Sequence, residues 1–215
     1  MAEQGHLPRI YVLAGTNGAG KSSIAGAMLI EEGVKYFNPD EAAALIADAN
    51  PGIALEEAQS AAWYEGRRLL ERAILERLDF AFETTLGGST IAALLEKALS
   101  SGIEMRIWYV GLDRIERHIA RVRARVEKGG HDIPEERIRQ RHPRSLMNLI
   151  RLMPRLTELR VYDNSEEADP QTGAIPSPRL LVHLNRGKLV RVGELNATPE
   201  WAKPVVLTAL KISAG

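Results

Sequence analysis

Short runs of consecutive apolar residues alternate along the first two thirds of the chain with longer segments whose apolar positions recur every three or four residues. Arg9-Ile10-Tyr11-Val12-Leu13-Ala14 is a β-prone run that reads as a strand buried on both faces. Residues 22–30 are rich in helix formers, and Val34-Lys35-Tyr36-Phe37 is short enough only for a second strand. An Ala-rich helix is expected over 41–49, ended by Asn50-Pro51-Gly52. A longer helix follows over 55–78, with Trp63, Leu70, Ile74 and Leu78 on its apolar face. A third strand is expected over 79–85, then a helix to about residue 100 that Ser89 or Thr90 can cap, then a fourth strand over 103–110. The next helix, 113–126, buries Ile115, Ile119, Val122 and Val126. Lys128-Gly129-Gly130-His131-Asp132-Ile133-Pro134 interrupts the pattern, which resumes as helix over 135–152 with a kink or restart at Pro143. Residues 159–163 form a fifth strand.

Strand–helix alternation of this kind predicts a parallel sheet with right-handed crossovers. Beyond it the character changes. Residues 169–178 hold three prolines and a glycine and read as loop. Residues 180–184 and 189–192 flank Asn185-Arg186-Gly187-Lys188 as a hairpin, and a last helix is expected over 199–210, against which Pro204 argues.

Composition narrows the picture modestly. The chain has 215 residues, 45% of them apolar and 26% charged, which suits one soluble domain with a small appendage. A formal net charge of zero and 5% aromatic residues argue against nucleic-acid or membrane binding. No cysteine is present, so disulfides and thiolate metal sites are excluded, and the five histidines lack metal-ligand spacing. Residues 1–8 lack the features of a signal peptide, and no apolar run approaches the ~20 residues that span a bilayer, so a cytoplasmic location is expected.

Gly15-Thr16-Asn17-Gly18-Ala19-Gly20-Lys21-Ser22 changes the picture most. It matches the G-x-x-x-x-G-K-[S/T] phosphate-binding pattern in full, between an expected strand and an expected helix. Glycine permits the backbone to turn successive N–H groups toward an anion, and the helix N-terminus adds its dipole there. Lys21 would reach the outer phosphates of ATP, the Ser22 hydroxyl would ligate Mg²⁺, and Ser23 extends the loop's polar set.

Acidic residues at the carboxyl ends of the expected strands are candidates for the reacting site. Asp40 could take a proton from an attacking hydroxyl, although its position equally suits a helix N-cap. Glu83, with Thr84 and Thr85 beside it, could hold a substrate hydroxyl or a metal-bound water. Asp113 reads as an N-cap. Arg114, Arg117, Arg121 and Arg125 recur at helical spacing, as do Arg137, Arg141 and Arg144 on the next helix. Guanidinium groups match phosphate oxygens, so two such helices around a Gly-Gly-His loop suggest a lid, with one or two arginines reaching the site and the others paired with glutamates. His131, on that loop, is a candidate substrate contact.

These motifs, in this order, resemble the zeta-toxin family of phosphate-loop kinases. The matching residues are Gly15 to Ser22, Phe37-Asn38-Pro39-Asp40-Glu41, Glu83-Thr84-Thr85, the run Arg125 to Pro134, and Arg141-His142-Pro143-Arg144-Ser145-Leu146. The resemblance implies a kinase that uses ATP and Mg²⁺ to phosphorylate a sugar hydroxyl of UDP-N-acetylglucosamine. Lys21 and Ser22 would then hold ATP and metal, Asp40 would be the catalytic base, and Asn38, Glu83, Thr84, Thr85 and His131 would line the acceptor site. Arg125 and Arg141 are selected as the catalytic pair, with Arg123, Arg137 and Arg144 as alternatives. The chain is compact beside the longer family toxins and no antitoxin is visible in it, so toxicity is not assumed; a separate antitoxin protein is a partner that the resemblance implies. The expected architecture is an α/β phosphate-loop kinase fold. A mainly parallel sheet over residues 1–168 would carry a helical lid at about 113–153, and 169–215 would add a loop, hairpin and helix. A metabolic kinase with another acceptor and a nucleotide-binding partner module are the alternative readings.

Overall fold

A computed structural model describes residues 7–21, 36–167 and 177–215. The expected helix over 22–30, with Ser22 and Ser23, and the start of the second strand at Val34-Lys35 lie outside the described residues. Strand β1 spans Arg9–Ala14 and β2 Tyr36–Phe37. Helices α1 (Pro39–Ala49) and α2 (Leu55–Glu76) precede β3 (Phe80–Thr84), and α3 (Ser89–Ser100) leads to β4 (Glu104–Gly111). Then come α4 (Ile115–Glu127), α5 (Glu135–Leu152) and β5 (Glu158–Asp163). The chain closes with β6 (Arg179–Asn185), β7 (Lys188–Val192) and α6 (Lys203–Ala214).

One seven-stranded sheet runs in the order β2-β3-β1-β4-β5-β6-β7. Its first five strands are parallel, and β6 and β7 add on antiparallel. The expected hairpin is therefore an edge of the central sheet. Alternation along β1 divides the core in the way a strand covered on both faces requires. Ile10, Val12 and Ala14 join Leu70, Leu95, Ile107, Leu149, Val161 and Val205 on one side. Tyr11 and Leu13 join Trp108, Val110 and Tyr162 on the other. The lid helices carry a smaller core of their own, built from Ile119, Val122, Ile133 and Ile138 with Ile115 and Val126 packed against it.

Several expected details change. Trp63 and Leu78 are not core residues: Ala58, Ala62, Gly66 and Ala73 join Leu70 and Ile74 on the buried face of α2, and Trp63 and Leu78 stand exposed. Gly88, not Ser89 or Thr90, occupies the cap position of α3, with no side-chain cap bond. Pro143 lies inside an unbroken α5, which forgoes one backbone hydrogen bond there. Pro204 falls in the first turn of α6, where the missing N–H has no intrahelical acceptor to lose, so it starts the helix that it was expected to weaken. A short 3₁₀ turn, Glu200–Ala202, replaces the beginning of the expected segment.

Register brings the carboxyl ends of β1, β2 and β3 to one rim: Ala14 lies opposite Thr84, and Phe37 opposite Phe82. At the end of β4, Gly111 faces the ring of Trp201, which a Cβ would strike. That ring is buried and its Nε1 donates to Asp163 Oδ1 at 3.4 Å, so it has nowhere to swing. Gly111→Ala is expected to lower the unfolding free energy by about 1–3 kcal/mol through overpacking, read as a shift in the denaturant midpoint.

Candidate active site

The glycine loop leaves the end of β1 and turns back on itself, with Ala19 N–H donating to the Thr16 carbonyl at 3.1 Å. Gly18 has φ +79°, and its bare Cα lies against the His118 carbonyl, so both conformation and space exclude a side chain there. Three further groups grip the loop from outside. The His118 ring meets the Asn17 carbonyl through Nδ1 at 2.8 Å, Arg141 Nη1 donates to Asn17 Oδ1 at 3.1 Å, and Asn164 Nδ2 donates to the Ala19 carbonyl at 2.8 Å. Lys21 is buried, with its Nζ 3.5 Å from Glu83 Oε1 and 3.5 Å from the Thr16 carbonyl. Its charge is thus held at the mouth of the loop by a carboxylate from the end of β3.

Asp40 is not the helix N-cap. Asn38 takes that place: its Oδ1 accepts from the Asp40 N–H at 2.9 Å and its Nδ2 donates to Glu41 Oε1 at 3.1 Å. Pro39 fills the first helical position, where its fixed φ suits the turn. The Asp40 carboxylate is therefore free of capping duty and accepts from Arg125 Nη1 at 3.2 Å. Arg125 also donates through Nη2 to the His131 carbonyl at 2.9 Å, joining the lid loop to the start of α1. The His131 ring lies 2.7 Å from Gln59 Nε2, and burial lowers its pKa despite the opposing pull of Asp40.

Arg141 reaches the glycine loop because α5 lies close over the turn after β3. Gly87 has no Cβ where Arg141 Cβ would stand 2.8 Å away. Asn148 Nδ2 donates to the Leu86 carbonyl at 2.8 Å and Ser145 Oγ to the Thr85 carbonyl at 2.6 Å. Tyr109 contacts Ser145 Oγ at 2.9 Å, and burial pushes its pKa up to about 12, so the phenol is neutral and the chain Tyr109–Ser145–Thr85 holds its protons. Thr84 and Thr85 spend their hydroxyls accepting from the Leu86 and Gly87 N–H groups, which shapes the rim.

These groups surround one cleft of about 900 Å³, lined by Lys21, Asn38, Asp40, Glu83, Thr84, Thr85, Arg125, His131 and Arg141 together with Asn17, Gly18 and Gly20. A family model described as Zeta toxin matches residues 1–169. The chain belongs to the zeta-toxin family. An uncharacterized protein of Haemophilus influenzae is 33% identical over 132 residues, covering 60% of this chain and 88% of that protein. The crystal structure of AvrRxo1-ORF1:-ORF2 with ATP is similar at a TM-score of 0.64 and 16% identity, over 97% of this chain. This chain spans only 64% of the length of the one it matches there. The PezAT toxin-antitoxin system of Streptococcus pneumoniae gives a TM-score of 0.54 at 13% identity, over 82% of this chain and 72% of that one. At these identities the structural likeness establishes a phosphate-loop kinase fold.

Other sequence candidates fall elsewhere in this zeta-toxin family member. Arg123 and Arg144 are exposed away from the cleft, and Arg123 pairs with Glu135 at 2.8 Å. Arg114 and Arg117 both pair with Asp113. Asp113 is not an N-cap, a position that Arg114 holds without a side-chain bond. Burial is the largest single influence on Asp113 and opposes its ionisation, but the hydrogen bond and charge of Arg117 together with Arg114 outweigh it and hold the pKa below the usual carboxylate range. Arg121 and Arg137 do line the cleft. Sequence reasoning missed Gln59, Trp63 and Arg67, whose i, i+4, i+8 spacing on α2 was the available signal and was masked by the choice of Trp63 as core.

His118 is the buried link between lid and loop. Burial draws its pKa down from 6.5 to about 4; the bond to the Asn17 carbonyl opposes this and the neighbouring His142 adds to it. The unfolded chain therefore binds the proton that the folded chain refuses, and stability falls as pH drops from 6.5 toward 4, by on the order of 3 kcal/mol for this residue. His118→Asn, which can still donate to the Asn17 carbonyl, is expected to flatten unfolding free energy against pH across that window, measured by urea denaturation at each pH.

Proposed function

We propose that this chain is an ATP-dependent phosphotransferase that phosphorylates a hydroxyl of a small acceptor, a nucleotide sugar such as UDP-N-acetylglucosamine. One observation carries the reading. A phosphate loop with its lysine, a carboxylate at the head of a helix, and two arginines from a separate lid converge on a single cleft. Three of these are the parts that phosphoryl transfer asks for: a cradle for the triphosphate, a proton acceptor for the attacking alcohol, and cations for the charge that spreads over the transferring group.

Asp40 is the proton acceptor in this scheme. Arg125 orients its carboxylate, and a phosphoryl group entering the cleft competes for that same guanidinium, leaving Asp40 to the acceptor hydroxyl. Lys21 makes the corresponding exchange, giving up Glu83 for the outer phosphates and leaving Glu83 to orient the acceptor. Arg141, tied to Asn17 of the loop, sits where it can neutralise phosphate oxygens as the lid settles.

The donor set suits Mg²⁺, a hard cation that takes oxygen ligands: the partly buried carboxylate of Glu83 stands beside Lys21, and Ser22, with its hydroxyl, follows Lys21 in sequence. Bound there with the phosphates, the ion would supply further neutralisation of their charge. AvrRxo1-ORF1:-ORF2 was crystallised with ATP, and PezAT is a toxin-antitoxin system, which supports ATP as donor and a separate antitoxin protein as a partner of this chain. Among the described residues no helix is long and apolar enough to cross a membrane.

The test is ATP turnover against a panel of acceptors, with phosphorylated product identified by mass. Acceptor-dependent turnover is expected with UDP-N-acetylglucosamine, and Asp40→Asn is expected to reduce kcat by about 10²–10⁴, the usual contribution of a general base. Lys21→Ala removes activity through loss of ATP binding. Full acceptor-dependent turnover by Asp40→Asn would refute the base assignment.

A further inference from the structure

Arg179 and Trp201 lie beyond residue 169, where the match to the family model ends, and neither lines the cleft. Both nevertheless reach back to the carboxyl end of β5. Arg179 opens β6 and sits opposite Asp163 in the antiparallel ladder. Its Nη2 donates to Asp163 Oδ2 at 3.3 Å and to the Ala197 carbonyl at 3.0 Å. Trp201, in the 3₁₀ turn before α6, donates through Nε1 to Asp163 Oδ1 at 3.4 Å. Its ring covers the place where a Gly111 Cβ would stand. Asp163 is 7% exposed, so these donors and the Ser165 hydroxyl, 2.5 Å from Oδ1, take the place of water around the carboxylate.

The residues after β5 form a strap across the phosphate loop. The Asn164 N–H donates to the Gly111 carbonyl at 3.0 Å, and Ser165 Oγ accepts from the Asp113 N–H at 2.6 Å. Trp201 therefore touches both anchors of Asn164: Gly111, which accepts its N–H, and Asp163, which precedes it in the chain. From between them the Asn164 side chain reaches the loop. Its Nδ2 donates to the Ala19 carbonyl at 2.8 Å and lies 2.5 Å from where a Gly20 Cβ would be. In a trans peptide the carbonyl and the following N–H point opposite ways. A bond that holds the Ala19 carbonyl from outside the loop thus turns the Gly20 N–H inward, the direction an anion cradle needs.

We infer that Arg179 and Trp201 are positioning residues for the nucleotide: they set Asp163, Asp163 sets Asn164, and Asn164 aims the loop at phosphate. The C-terminal hairpin and helix are thereby part of the nucleotide site without lining it. The inference needs nucleotide binding alone and is independent of which acceptor receives the phosphoryl group.

Calorimetric titration of the full chain with the β,γ-imido analogue of ATP and Mg²⁺ tests this route. Asn164→Ala is expected to weaken binding about tenfold, the upper scale of one lost hydrogen bond. The double variant Arg179→Gln/Trp201→Phe removes both donors and keeps an aromatic ring over Gly111. It is expected to weaken binding about fivefold, and Arg179→Lys in place of Arg179→Gln to recover about half of that loss by restoring a charge beside Asp163. Added to Asn164→Ala, the double variant is expected to cost nothing further, because the route it disturbs is already cut. Near-ultraviolet circular dichroism verifies that each variant is folded, and Arg179→Gln alone, at a half-exposed position, carries the same test should the double variant fail to fold. A lowered denaturant midpoint with nucleotide affinity unchanged overturns the inference, and so do losses that multiply or an Asn164→Ala variant that binds as wild type. Binding that follows this pattern without transfer to any acceptor leaves the inference standing and removes the phosphotransferase reading.

Discussion

Asn17 joins the phosphate loop to the two helices that cover it. Its carbonyl takes the His118 ring of α4 and its side-chain oxygen takes the Arg141 guanidinium of α5, so one residue of the phosphate loop holds both lid helices. A glycine-rich loop alone has many conformations, and an anion site built on backbone N–H groups works only if those groups are already aimed. Here the aiming is done by outside contacts: the His118 backbone against Gly18, and Asn164 on Ala19. The lid in turn has a small core, and its position over the sheet is set largely at the loop and at the rim around Thr85 and Leu86. Disturbing Asn17 would therefore loosen cradle and lid together.

The charged groups of the cleft are stored in pairs. Lys21 pairs with Glu83, and Arg125 with Asp40. A buried lysine beside a carboxylate is spared part of the desolvation cost that it would meet alone. Phosphate entering such a site trades one counter-ion for another. In the proposed reaction this exchange would free the two carboxylates for the acceptor hydroxyl, so nucleotide binding and acceptor activation would draw on the same contacts.

Sequence periodicity carried most of the sheet, since strands covered on both faces read as apolar runs and the glycine loop fits its pattern without a gap. It lost its hold where a residue had two physically reasonable roles. Asp40 and Asn38 both suit a helix start, and only the proline between them decides that Asn38 caps and Asp40 points outward. Trp63 fits the apolar stripe of α2, yet the buried face is built from Ala58, Ala62, Gly66 and Ala73, small residues that let the helix approach the sheet and leave no room for an indole. Hydrophobicity scales register the large residue and overlook the small ones that make close packing possible. The hairpin was legible as a hairpin, but nothing local to it shows that β6 pairs with β5.

The arginines show how partners sort residues that composition cannot. Those on outward faces find carboxylates at once: Arg123 and Arg139 share Glu135, and Arg117 takes Asp113. Two cleft arginines differ. Burial lowers the pKa of Arg121, and nearby Arg117 lowers it further; burial and Arg137 act on Arg141 in the same way. The hydrogen bonds of Arg121 and Arg141 go to the Glu166 carbonyl and the Asn17 amide oxygen, which are uncharged. Bringing cations out of water beside other cations costs free energy. Such an arrangement persists where an anion repays it for part of the working cycle. On the proposed phosphotransferase reading, Arg121 and Arg141 are therefore the arginines placed to meet phosphate.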